Sequence, residues 1–77
     1  MINYGDYVEV KGSAPSKFFP GERGWVVGIV EQNDIHPLKK WFTQTRIILV
    51  EKEDGSDFEV PEIYLRLVEK YSEDNNE

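Results

Sequence analysis

Apolar residues along this chain fall into two continuous runs and two alternating ones. The first continuous run is Gly24-Trp25-Val26-Val27-Gly28-Ile29-Val30, bounded by Pro20-Gly21 before it and Gln32-Asn33-Asp34 after it. A β-branched run between turn residues reads as a buried central strand. This places Trp25 in the core and Val27 at the centre of the fold. Glycine inside a strand marks a bend or a close backbone approach, so Gly28 predicts a kinked strand shared between two sheets. The second continuous run, Arg46-Ile47-Ile48-Leu49-Val50-Glu51-Lys52, predicts another central strand. Tyr7-Val8-Glu9-Val10-Lys11 and Asp57-Phe58-Glu59-Val60 alternate instead, turning Val8, Val10, Phe58 and Val60 inward and Asp57 and Glu59 outward. Glu53-Asp54-Gly55-Ser56 between them predicts a tight hairpin, because Asp-Gly tolerates the positive φ angles of a two-residue turn.

The connections complete the picture. Residues 12–23 and 32–45 are long and broken by proline, and the second holds at most one helical turn. Pro61-Glu62-Ile63-Tyr64 predicts a 3₁₀ turn, with proline at its start where no amide donor is needed. Arg66-Leu67-Val68-Glu69 then forms the last strand. Five short strands, two long loops and a 3₁₀ turn before strand five predict an all-β, five-stranded SH3-like barrel over residues 1–71. Residues 72–77 are too polar to bury anything and read as a disordered acidic tail.

Composition narrows the function. The chain has 77 residues and no cysteine, which predicts one small domain without disulfides or thiolate metal sites. No stretch approaches the ~20 apolar residues of a membrane-spanning helix, and Met1 to Asp6 lacks the pattern of a secretory signal, so a cytoplasmic location is expected. The net charge of −6 opposes phosphate binding and favours a basic partner.

Catalysis finds little support. His36 stands alone beside Pro37 and reads as an ordinary surface residue, so neither a metal nor another cofactor is expected. The carboxylates around strands three and four form a solvated face that is also able to cap a basic protein. Aromatic residues on the loops supply the candidate site. Phe18, Phe19, Trp41, Phe42 and Tyr64 are expected to border one groove, with Lys17, Lys39 and Lys40 at its rim and Asp57 and Glu59 on the acidic face. Aromatics ringed by polar residues are common anchors of protein interfaces.

Three resemblances point the same way on fold. Gly5-Asp6-Tyr7-Val8-Glu9-Val10 followed by Gly21-Glu22-Arg23-Gly24-Trp25-Val26-Val27-Gly28-Ile29 resembles the KOW-type pattern of small barrels. That likeness implies contact with RNA or a ribonucleoprotein, made here through Lys17, Lys39, Lys40 and their aromatic neighbours. Phe58-Glu59-Val60-Pro61-Glu62-Ile63-Tyr64-Leu65 is similar to the last turn of signalling SH3 domains, in which Pro61 and Tyr64 would line a groove for proline-rich peptides. In size, acidity and layout the whole chain resembles a small all-β family of bacterial immunity proteins from polymorphic toxin systems. Membership would imply a non-enzymatic, protein-binding inhibitor that occludes a partner, such as a basic toxin domain, through its loop aromatics and acidic face.

Overall fold

The computed structural model describes residues 2–31 and 34–71; the predicted acidic tail over 72–77 and the Gln32-Asn33 turn lie outside them. In chain order the elements are β1 (Tyr7–Val10), a 3₁₀ turn at Ser16–Phe18, β2 (Arg23–Val30) and a 3₁₀ turn at Lys39–Thr43. Then come β3 (Ile47–Glu51), β4 (Asp57–Pro61), a 3₁₀ turn at Glu62–Tyr64 and β5 (Leu65–Glu69). The strands make one antiparallel sheet in the order β4-β3-β2-β1-β5. The architecture is thus five-stranded and all-β. Among the described residues no ladder joins β4 to β5, so the sheet is open at those two edges.

One face of the sheet builds the core. Val8, Val10, Val26, Ile48, Val50 and Val60 are buried there, joined by Ile2, Ala14, Phe18 and Leu65. β2 corrects the sequence reading. Although its run is continuously apolar, Trp25 is 40% exposed and Val27 44% exposed, whereas Val26 is 2% exposed. An antiparallel sheet can leave one face to solvent, and side chains alternate between faces whatever their polarity. Val26, not Val27, therefore enters the centre, and Trp25 is not core. Phe58 is half-buried and packs against the core from its edge.

The glycines of β2 have separate purposes. A Cβ on Gly24 would sit 2.4 Å from the Glu51 carbonyl oxygen, so only glycine allows β2 to lie this close to β3. At Gly28 the β2–β3 register shifts, with Val26 opposite Val50 and Gly28 opposite Leu49. The irregularity thus falls at the predicted glycine as a bulge, but β2 is not shared between two sheets, since all five strands form one. The β3–β4 hairpin is closed by Lys52 N–H to Ser56 O (2.7 Å) and Gly55 N–H to Lys52 O (2.9 Å). Its connection is three residues long rather than two, with Gly55 in the left-handed region at φ 89°. Such loops pair a tight turn with a bulge that needs glycine.

Two buried or half-buried carboxylates fasten the ends of the chain. Asp6 is 1% exposed and accepts the amides of Asn3 (2.9 Å) and Tyr71 (2.8 Å), with Lys70 Nζ at 3.3 Å. Burial pushes its carboxyl upward, but the Tyr71 and Asn3 amides and Lys70 outweigh it and the net shift is down. Glu62 takes two hydrogen bonds of 2.8 Å from the Arg46 guanidinium, whose Nη2 also reaches the Ile2 carbonyl. Arg46 holds the Glu62 carboxyl below its ordinary value against the opposing effect of burial. Both groups are depressed in the folded state, so their stabilisation is complete above the ordinary carboxylate range and lost as pH falls through the folded values. The melting temperature is expected to be flat from pH 7 to about 5 and to drop below about pH 4. Asp6→Asn should shrink that acid limb. An acid limb identical to that of the wild type would show that Asp6 is not part of it.

Candidate functional site

The loop after β1 is drawn across the open end of the sheet by Lys11 N–H to Tyr64 O (2.7 Å) and by the turn at Ser16–Phe18. That turn ends at Phe19, a non-glycine residue at φ 61°. The reversal sends two adjacent rings in different directions. Phe18 goes into the core and is 3% exposed; Phe19 is 52% exposed and meets Phe58 edge-on at 5.5 Å.

The loop after β2 is held by His36. Its Nδ1 accepts the Leu38 amide at 2.9 Å, so the neutral ring carries its proton on Nε2 and donates it to Glu59 on β4 at 2.9 Å. The His36 side chain is 10% exposed, which corrects the reading of an ordinary surface residue. With the loop pinned, the turn at Lys39–Thr43 brings Trp41 against Phe18 (6.0 Å, edge-on) and Tyr64 (5.5 Å, edge-on). Phe18 and Tyr64 stack at 5.9 Å. Lys17 Nζ lies 5.2 Å from the Phe18 ring centre, and Lys40 Nζ lies 5.9 Å from that of Trp41.

The predicted groove therefore divides. Phe18, Trp41 and Tyr64 come together, one ring from each connection, with Lys17 and Lys40 at the margin. Phe18 serves this cluster from beneath, as core. Phe42 turns away to His36 (5.6 Å), Phe19 goes to Phe58, and Lys39 is exposed on the turn. Asp57 lies exposed on β4, whereas Glu59 is occupied by His36. Trp41 lines an open groove of about 220 Å³ with Lys40 and Gln44. Its indole Nε1 is buried and has no hydrogen-bond partner among the described residues. Most buried donors are satisfied, and one left unpaired costs about 1–3 kcal/mol.

The outer face of the sheet holds what the sequence reading missed. Tyr7 and Trp25 are direct cross-strand neighbours with ring centres 4.9 Å apart. Next to them Glu9 bonds Arg66 and lies 3.4 Å from Arg23, a charge row over three strands. Arg66, opposed by burial and aided by Arg23, holds the Glu9 carboxyl below its ordinary value. Within this continuously apolar run no residue type marks Trp25 as outward; its register against Tyr7 on β1 and Glu51 on β3 does.

Among the described residues no group of three His, Cys, Asp or Glu side chains is placed to hold a metal ion, and no helix is long and apolar enough to cross a membrane. No protein-family model, curated protein or solved structure matches this chain. The geometry alone carries the functional reading.

Proposed function

We propose that this chain is a non-enzymatic protein-binding module, an immunity-type inhibitor that occludes a partner toxin with its loop aromatics and acidic face. The observation that carries the reading is the buried, unsatisfied Trp41 indole N–H within the Phe18–Trp41–Tyr64 cluster. Nε1 is covered in the free chain, so a partner carbonyl or carboxylate entering the groove beside Trp41 would pair with it after a side-chain shift. Interface anchors are typically such aromatic side chains set over a firm base. The strand order and the 3₁₀ turn before β5 support an SH3-like barrel as the scaffold.

Charge favours a basic protein over RNA. All three arginines of the chain are committed internally, Arg23 and Arg66 to Glu9 and Arg46 to Glu62. Arginines tied to carboxylates are poor phosphate ligands, so the KOW-like alternative has only lysines to work with. The test uses the product of the gene immediately upstream as partner, with binding measured by calorimetry. Trp41→Phe should keep the ring packing and the melting temperature but weaken binding about tenfold, the scale of one lost hydrogen bond to a buried donor. Trp41→Ala should also lower stability, since the indole packs against the core. Wild-type affinity in Trp41→Phe would remove the indole from the interface.

A further inference from the structure

The β-ladder aligns one row of side chains across all five strands on the face away from the core. Asp57 pairs with Glu51, Glu51 with Trp25, Trp25 with Tyr7, and Tyr7 with Glu69. Directly opposed residues share a face, so the row reads carboxylate, carboxylate, indole, phenol, carboxylate. An aromatic pair thus sits between carboxylates on both sides. Trp25 is 40% exposed, and Glu51, Asp57 and Glu69 are exposed too.

Two features of this row are unfavourable to folding. Glu51 and Asp57 are like charges placed directly opposite each other, an arrangement that destabilises a sheet. A large indole also faces solvent in mid-strand. Tyr7 covers one side of the indole, and among the described residues no cation answers the carboxylates. No salt bridge among the described residues reaches Glu51, Asp57 or Glu69; nearby Arg23 is directed to Glu9, and Lys52 lies 3.9 Å from Glu22.

We infer that this row is a second docking surface, separate from the Trp41 cluster, and that it takes an arginine side chain of a partner protein. The guanidinium is planar and weakly hydrated, stacks on aromatic faces and bonds carboxylates with two parallel N–H groups. Adjacent strands are about 4.8 Å apart, so a guanidinium resting on Trp25 has the Glu51 carboxylate one strand away. The same charge row that repels itself in the free chain is complementary to that cation. Nucleic acid is disfavoured by the same carboxylates.

The probe is a blocked glycine peptide carrying one arginine, titrated into the full chain at millimolar concentration and followed by amide and indole NMR signals. Its counterpart with citrulline in place of arginine has the same shape without the charge. Saturable shifts are expected at the Trp25 indole and at Tyr7, Glu51 and Asp57, with the Trp41 indole unmoved, so this result is read separately from the fate of the Trp41 site. Trp25→Ser, and Glu51→Gln with Asp57→Asn, should each weaken binding roughly fivefold or more, the scale of a cation–aromatic contact with an ion pair. Glu51→Gln alone should raise the melting temperature by about 2–4 °C, which shows the fold intact as binding declines. Equal shifts with citrulline, shifts spread evenly over all carboxylates, or unchanged affinity in Trp25→Ser would overturn the inference. So would shifts at Trp25 on simple concentration of the chain, which would make the face a self-interface.

Discussion

Val26→Asp is expected to abolish folding, while Val27→Asp leaves the chain folded. The two positions are adjacent in a run of apolar residues and chemically identical, yet Val26 is 2% exposed and Val27 44%. Val26 lies opposite Val50 and packs with Val8 and Val60 in the core. A carboxylate there would have no partner, and burying an unpaired charge costs several kcal/mol. A chain of this length has roughly 4–10 kcal/mol of stability in all, so the variant should lack a cooperative melt. Val27 stands at the bulge on the outer face, where a change of this kind costs about 1 kcal/mol and lowers the melting temperature by less than about 8 °C. Circular dichroism melts of the pair decide the matter. A cooperative fold in Val26→Asp, or loss of fold in Val27→Asp, would invert the assigned faces of β2.

Phe18→Ala is expected to destabilise the chain by about 3–5 kcal/mol, as large-to-small changes in packed cores do. Phe18 is 3% exposed, stacks with Tyr64 and meets Trp41 edge-on. Removing it leaves a void under both of those rings, so partner binding should fall with stability. Phe19→Ala removes a ring that is 52% exposed and touches Phe58. Its cost should stay near 1 kcal/mol. Denaturant titration of the two variants checks the division. Equal, small losses would return Phe18 to the surface.

Strand positions were legible because β1, β3 and β4 combine period-two or β-branched patterns with turn residues at their ends. Gly28 likewise announced its bulge. The phase of β2 was not legible, since a run without polar residues carries no mark of which face is wet. Only the register against β1 and β3 reveals it. The same limit hid the candidate surfaces. His36 looked isolated because its partner Glu59 is 23 residues away in sequence. The acidic composition was plain, but the alignment of Asp57, Glu51 and Glu69 with the Tyr7–Trp25 pair exists only once five strands are in register. Of the loop aromatics, the meeting of Phe18, Trp41 and Tyr64 followed from the layout. That Phe18 would turn inward and Phe19 outward depends on a single left-handed φ, which nothing in the residue types foretells.

The most direct test of the inhibitor reading is growth of a bacterial host expressing the product of the gene immediately upstream, with and without this chain. The expected result is that the neighbour alone arrests growth, that this chain restores it in proportion to its expression, and that Trp41→Phe restores it less well. A neighbour that is harmless by itself, or one that kills equally in the presence of this chain, would contradict the account.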